Sequence, residues 1–202
     1  MTTLIIEFSC ATVCIFLTLV FPSGKHRLWL LPAAFILSFA GDVFMGRRST
    51  GMNYIYGILF YFMAHICFSL YALWEISKGR ISRPVFAAVT VPYLVFYFAF
   101  LLPSPRLNEN LFLAAAVFLY LLISCFALAA SVNYSGGLSV SWIFTAGILC
   151  LLFSDTIIAL GDFVRYRGLS FLVMPLFYAS HILIVLSVTL KSVLSRKKNT
   201  SQ

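Results

Sequence analysis

The chain alternates long apolar runs with short polar connectors. A membrane-spanning helix needs about 20 mostly apolar residues, and seven runs approach or reach that length: residues 4–21, 28–45, 53–74, 84–102, 111–132, 142–161 and 170–190. Backbone groups inside a bilayer must find hydrogen-bond partners within the protein, and separate apolar segments achieve this as packed helices. The pattern therefore predicts an all-α fold, a polytopic membrane helical bundle of about seven transmembrane helices.

The connectors are short and contain proline, glycine and basic residues, which interrupt helices and favour turns. They leave no stretch long enough for a soluble domain. We therefore expect a single transmembrane helical domain over residues 1–192 and a short basic tail over residues 193–202.

Composition and charge strengthen the membrane assignment. Hydrophobic residues make up 62% of the chain, charged residues make up 10%, and the mean hydropathy is +1.01. The formal net charge is +8, but the basic residues lie in connectors, where they meet lipid phosphates, so we expect no nucleic-acid partner. With seven spans, five of the 14 basic residues fall on the N-terminal side of the membrane and nine on the other. This excess predicts a cytoplasmic C-terminus.

Two apolar hairpins each carry an aspartate and a histidine at similar spacing. Asp42 precedes His65 by 23 residues, and Asp155 precedes His181 by 26. An ionisable side chain near the bilayer centre costs about 2.5 to 3.5 kcal/mol on insertion scales, so it persists mainly where it has a partner or a task. An even number of spans separates the hairpins, which therefore enter the membrane from the same side. The repeated Asp/His hairpin predicts one shared polar site.

Other polar side chains are placed to join this site. Residues three or four apart share a helix face, which makes candidates of Ser38, Tyr61 and Tyr178. Ser154, a further candidate, directly precedes Asp155. Basic residues follow each aspartate, namely Arg47 and Arg48 in the first hairpin and Arg165 and Arg167 in the second, and their guanidinium groups are expected at the mouth of the site. A guanidinium group suits a phosphate, and Arg47 and Arg165 are expected to hold it. Two alternatives stay open: interhelical hydrogen bonds that only hold the bundle together, and arginines that only anchor lipid headgroups.

In these motifs the chain resembles the YhhN family of lysoplasmalogenase-like membrane proteins. The matching stretches are residues 37–42, 57–65, 146–155 and 178–181, and the likeness covers roughly residues 30–190. The resemblance implies a hydrolase that cleaves the vinyl-ether bond of lysoplasmalogens, with a lysophospholipid substrate, bilayer lipids as partners and no cofactor. It also implies a bacterial inner (plasma) membrane. Members usually look like eight-span proteins, whereas seven apolar runs are counted here.

Vinyl-ether hydrolysis requires proton transfer to carbon and then capture of an oxocarbenium ion by water. Two aspartates in different surroundings can divide the roles of acid and base. We therefore expect Asp42 and Asp155 to form the catalytic pair, in either order, with His65 and His181 adjusting the carboxyl groups or relaying protons. Ser38, Tyr61, Ser154 and Tyr178 are expected to contact the substrate.

Two other functions fit parts of the pattern. A seven-helix lipid amidase or esterase of the alkaline ceramidase type would hold zinc through His65, His181 and one aspartate. A proton-coupled carrier would use the same groups to bind protons and a substrate between repeats. The hydrolase without a metal is the preferred prediction.

Overall fold

The computed structural model of the protein describes residues 13–16, 18, 20, 29–46, 51–75, 81–134 and 137–200. The elements of this part of the chain are helices, so the predicted all-α bundle is confirmed. Residues 13–16, 18 and 20 are helical. The rest of the predicted first span, residues 4–21, lies outside the described residues.

The remaining helices are numbered in chain order. They are α1 (Leu30–Gly46), α2 (Gly51–Trp74), α3 (Arg83–Phe96), α4 (Pro105–Asn108), α5 (Leu111–Ser131), α6 (Leu138–Ala159) and α7 (Val173–Thr200). Two π-helical turns, Tyr97–Leu101 and Leu160–Val164, end α3 and α6, and the 3₁₀ helix Ser170–Leu172 leads into α7. Among the described residues, five helices are long and apolar enough to cross a membrane: α2, α3 with its π-helical turn, α5, α6 with its π-helical turn, and α7 with the 3₁₀ helix before it. Helix α1 is shorter than these spans, with 17 residues. The number of seven spans stays a prediction.

Local signals explain several helix starts. Pro84 lies in the first turn of α3 and Pro105 in the first turn of α4, where a missing N–H costs nothing and the fixed φ suits a helix. The Asn110 side chain caps α5 by accepting a hydrogen bond of 3.0 Å from the backbone N–H of Leu113. Such a cap satisfies one of the N–H groups left free at a helix start.

The bundle is built around two antiparallel pairs. Helices α1 and α2 form the first hairpin, and α6 and α7 form the second. Helix α5 lies between them, packed on α2 and on α6, and α3 packs on α5. The hairpins also touch directly, because the Phe35 ring of α1 lies 5.1 Å from the His181 ring of α7, centroid to centroid.

In each hairpin the two helices approach each other closely at a glycine. A Cβ atom on Gly41 of α1 would lie 2.9 Å from Cε1 of Tyr61 on α2. A Cβ atom on Gly147 of α6 would lie 3.0 Å from the Ser180 carbonyl oxygen and 3.1 Å from the Ile184 backbone nitrogen of α7. Small residues at such crossings allow helices in a membrane to pack closely.

The two ends of the bundle differ in their contacts. At one end, called the mouth end, α1 joins α2 and α6 joins α7. At the far end, a Lys191–Glu75 ion pair links α7 to the end of α2, and the Lys191 ammonium group lies 4.7 Å from the centroid of the Tyr134 ring. The far end is therefore closed by charged and aromatic contacts, while the cavity described next opens at the mouth end.

Candidate active site

A cavity of about 550 Å³ lies between the two hairpins. Its wall includes Asp42 and Tyr61 from the first hairpin and Ser154 and Asp155 from the second. Two acidic side chains from separate repeats therefore face one space inside a largely apolar bundle. The volume falls within the range of small-molecule sites, about 300 to 1,000 Å³.

Asp42 is held by a tyrosine of its own hairpin. The buried Tyr61 hydroxyl donates a hydrogen bond to Oδ1 of Asp42. The ring that carries this hydroxyl packs directly over Gly41, the residue before Asp42. Packing between α1 and α2 therefore sets the position of the hydrogen-bond donor as well as that of the carboxyl group.

Asp155 is held by helices outside its own hairpin. The hydroxyl of Tyr120 on α5 donates a hydrogen bond of 2.5 Å to Oδ2 of Asp155. Nε2 of His65, on α2, lies 3.7 Å from the same oxygen. The rings of Tyr120 and His65 meet edge to face, with centroids 5.0 Å apart. Three helices thus converge on one carboxyl group, and the histidine of one repeat faces the aspartate of the other.

The backbone determines which nitrogen of His65 carries a proton. Nδ1 lies 3.0 Å from the carbonyl oxygen of Tyr61, and because a carbonyl only accepts hydrogen bonds, Nδ1 is the donor. Nε2 is buried and has no hydrogen-bond partner among the described residues. In the neutral imidazole this atom is an acceptor, so the nitrogen that lies 3.7 Å from the Asp155 carboxyl group carries a lone pair.

His181 has different surroundings. Its Nδ1 donates to the carbonyl oxygen of Phe177 at 2.9 Å and lies 3.1 Å from the Ser180 hydroxyl. Its ring contacts the rings of Phe35 and Phe177, with centroids 5.1 Å and 4.3 Å away. The imidazole is buried at the contact between hairpins and is not part of the described cavity wall.

Comparison with known proteins places the chain in a family. The sequence profile of the YhhN family matches residues 4–188. This chain belongs to the YhhN family. The resemblance predicted from the four short stretches is therefore confirmed, and the match begins closer to the N-terminus than residue 30.

Two curated relatives of this YhhN-family chain are both named lysoplasmalogenase, and they come from Mycobacterium bovis and Mycobacterium tuberculosis. Each is 28% identical over 167 residues, covering 78% of this chain and 58% of the relative. The chain thus spans less than two thirds of the length of these relatives. No solved structure matches it significantly.

The other predicted site residues of this family member differ in whether they lie on the cavity wall. Ser154 lies on the cavity wall and donates a hydrogen bond of 3.1 Å to the Val173 carbonyl oxygen. Ser38 is buried, and the ring of Tyr178 packs on that of Phe177; neither residue is on the described wall. Arg165 is exposed, with a φ of 61°, at the end of the second π-helical turn. Arg47 lies outside the described residues.

Arg167, which the sequence predicts at the mouth of the site together with Arg165, lines the cavity there. Two wall or support residues are not among those predicted from the sequence: Ser170 on the same wall, and Tyr120. Tyr120 lies on α5, which carries neither repeat motif. Nothing in its sequence surroundings distinguishes it from the many other aromatic residues, because its role depends on how α5 packs between the hairpins.

A smaller recess of about 50 Å³ adjoins the main cavity at Asp155 and Tyr61. Both residues line the recess and the main cavity, and the rest of its wall is mainly apolar, including Ile58 of α2 and Val117 of α5. Asp155 therefore borders both a space with polar residues at its rim and a mainly apolar recess. This arrangement suits a bond that joins a polar group to a hydrocarbon chain.

The zinc alternative depends on three ligands at one point. Among the residues that the structure describes, no three His, Cys, Asp or Glu side chains are placed to hold a metal ion. His65 faces Asp155, whereas His181 is packed against Phe35 and Phe177. The two histidines thus do not share an aspartate in this arrangement.

Proposed function

We propose that this YhhN-family protein is a membrane-embedded hydrolase that cleaves the vinyl-ether bond of lysoplasmalogens. The products are a fatty aldehyde and a glycerophospho-ethanolamine or glycerophospho-choline. The observation that carries the proposal is that Asp42 and Asp155, from separate repeats, line one cavity. The printed name of the mycobacterial relatives supports the substrate class.

The reaction needs two carboxyl groups in different states. A protonated carboxyl group transfers its proton to the outer vinyl carbon, which produces an oxocarbenium ion at the carbon bonded to oxygen. An ionised carboxylate faces this cation and accepts a proton from the attacking water. Acid and base assistance of this kind contributes about 10² to 10⁴ in rate. Asp42 and Asp155 supply the two groups.

The cavity suggests how the lipid is oriented. The exposed Arg167 at the rim is a suitable partner for the headgroup phosphate, because a guanidinium group binds phosphate in a planar, bidentate manner. The vinyl-ether bond then reaches Asp155, and the start of the hydrocarbon chain enters the apolar recess. Ser154 and Tyr61 line the space between the two ends.

The protein is an integral membrane protein, and we propose that it lies in a bacterial inner membrane with a cytoplasmic C-terminus. The excess of basic residues at the far end supports this orientation. The cavity then opens on the non-cytoplasmic side. A single cysteine at position 170, placed in a background without other cysteines, should be labelled by an impermeant maleimide added outside intact inner-membrane vesicles of the same orientation as the cell.

The direct test is aldehyde release by the purified protein in lipid nanodiscs. We expect fatty aldehyde from 1-alkenyl lysophospholipids and none from the matched 1-alkyl ethers, because a saturated ether cannot form the oxocarbenium ion by protonation at carbon. Matched 1-acyl lysophospholipids distinguish ether cleavage from esterase activity. Failure to produce aldehyde with folded protein would contradict the proposal, and transport of unchanged lipid in proteoliposomes would support the carrier alternative.

A further inference from the structure

The contact between His65 and Asp155 depends on how many protons the two side chains hold. If the imidazole is neutral and the carboxyl group is ionised, the lone pair of Nε2 and a carboxylate oxygen are 3.7 Å apart with no hydrogen between them. Both atoms are then acceptors in a buried place, where facing lone pairs repel and an unsatisfied polar atom is costly. One additional proton, on either partner, removes this conflict.

We propose that Asp155 is the general acid of the reaction, that it shares a stored proton with His65, and that Tyr120 is the residue that positions it. This assignment rests on the proposed function, which leaves the order of the two aspartates open. Asp42 then serves as the base. Besides the two aspartates, the titratable or charged groups that line the cavity are Tyr61 on α2, Asp162 at the end of α6 and Arg167 in the connector before α7.

The contacts of Asp155 leave one oxygen for chemistry. Among the described residues, Tyr120 and His65 both approach Oδ2. Oδ1 is therefore the oxygen that can contact a bound substrate. The Tyr120 hydroxyl fixes the orientation of the carboxyl group, and the edge-to-face contact between the rings of Tyr120 and His65 holds the imidazole beside it. Tyr120 and His65 thus act through Asp155 and are positioning residues.

The cycle balances with this assignment. Asp155 gives its proton to the outer vinyl carbon, where the π electrons form the new C–H bond. Water bonds to the oxocarbenium carbon and loses a proton to Asp42, giving a hemiacetal. As the hemiacetal C–O bond to glycerol breaks, Asp42 returns its proton to the departing oxygen, and the hemiacetal hydroxyl proton goes to Asp155. Both aspartates finish as they began, and one water has been consumed.

Chemical rescue tests the order of the two aspartates. Asp155→Ala and Asp42→Ala are each assayed for aldehyde release with added formic acid and formate at several pH values. If Asp155 is the acid, rescue of Asp155→Ala follows the concentration of undissociated acid and grows as the pH falls. Rescue of Asp42→Ala follows the formate anion and grows as the pH rises. The opposite pairing would overturn the assignment and leave the proposed function intact.

If neither alanine variant is rescued, the pH dependence of the residual activity of the two asparagine variants provides a second test. Asp155→Asn should lose the fall in rate at high pH, because no acid remains to be deprotonated, whereas Asp42→Asn should lose the fall at low pH. The reverse result would overturn the assignment. An absence of aldehyde from the unchanged protein would instead contradict the proposed function itself.

Tyr120→Phe tests the positioning role. Tyr93→Phe is the matched control, because the Tyr93 hydroxyl hydrogen-bonds Thr156, the residue next to Asp155, at 2.7 Å. We expect Tyr120→Phe to lower kcat about tenfold, with KM within about twofold, and to change the solvent isotope effect on kcat. Tyr93→Phe should change none of these. Equal effects in the two variants would reduce Tyr120 to a packing role.

Discussion

The two hairpins carry the same motif, but the folded protein uses them differently. In the first hairpin, Asp42 takes its hydrogen bond from Tyr61 of the same pair of helices. In the second, Asp155 is contacted by Tyr120 of α5 and by His65 of the other hairpin. His181, the counterpart of His65, is packed between aromatic rings instead.

This difference shows how a repeat produces two unlike groups from one pattern. Helix α5 packs on both hairpins, and the hydroxyl of its Tyr120 donates a hydrogen bond to Asp155. The asymmetric neighbour gives the two carboxyl groups different surroundings. Chemistry that needs one acid and one base requires such a distinction.

The largest expected effect is the loss of either carboxyl group. Asp155→Asn and Asp42→Asn should each lower kcat for aldehyde release by about 10² to 10⁴, because acid or base assistance is removed. The measurement is the rate with saturating 1-alkenyl lysophospholipid in nanodiscs. Glu109→Gln, at an exposed carboxylate outside the cavity wall, is the matched control. A folded variant of either aspartate with near-normal turnover would refute the catalytic pair.

The glycines of the two hairpins should separate activity from stability. Gly147→Ala places a methyl group against the Ser180 carbonyl oxygen and the Ile184 backbone, which cannot move freely, so we expect a loss of about 1 to 3 kcal/mol in unfolding free energy. Gly41→Ala meets the Tyr61 side chain, which can rotate away and release Asp42. We therefore expect Gly41→Ala to lower kcat and to change the free energy of unfolding less than Gly147→Ala does.

Thermal unfolding in detergent and aldehyde release, measured on both glycine variants, check this prediction. A fall in kcat for Gly147→Ala with unchanged stability would contradict the assignment of the second glycine to packing. Normal activity of Gly41→Ala would show that Tyr61 does not need its present position.

The two histidines should differ in the property they affect. His65→Gln removes the imidazole that lies 3.7 Å from Asp155 and should lower kcat about tenfold, equivalent to about 1.4 kcal/mol. His181→Gln should lower the unfolding free energy by about 1 to 3 kcal/mol because a buried polar contact is disturbed, with a smaller change in kcat. Paired kinetics and unfolding curves decide the matter. Equal kinetic losses would favour equivalent roles for the two imidazoles.

The smallest effect is expected at the rim. Arg167→Gln should raise KM several-fold with little change in kcat, because an exposed charge pair contributes about 0 to 1 kcal/mol. Arg165→Gln, two residues earlier and off the described cavity wall, should change KM less. Arg83→Gln at the start of α3, at the far end, is the control. A larger KM change for Arg165 than for Arg167 would place the phosphate at the predicted arginine after all.

The sequence by itself determined that this is an all-α membrane protein of the YhhN family. Those conclusions follow from apolar run length and from short motifs, which are local properties of the chain. Asp42, Asp155 and His65 could also be selected, since an ionisable group in an apolar helix is costly wherever the helix packs.

Only the tertiary structure decided which of these groups meet. Tyr120 and Ser170 are ordinary residues of their segments, and they acquire a place in the site because α5 packs between the hairpins and the segment before α7 lines the cavity. The separation of His65 from His181 has the same origin. Helical periodicity specifies the face on which a side chain lies, whereas the neighbour on that face depends on how distant segments pack.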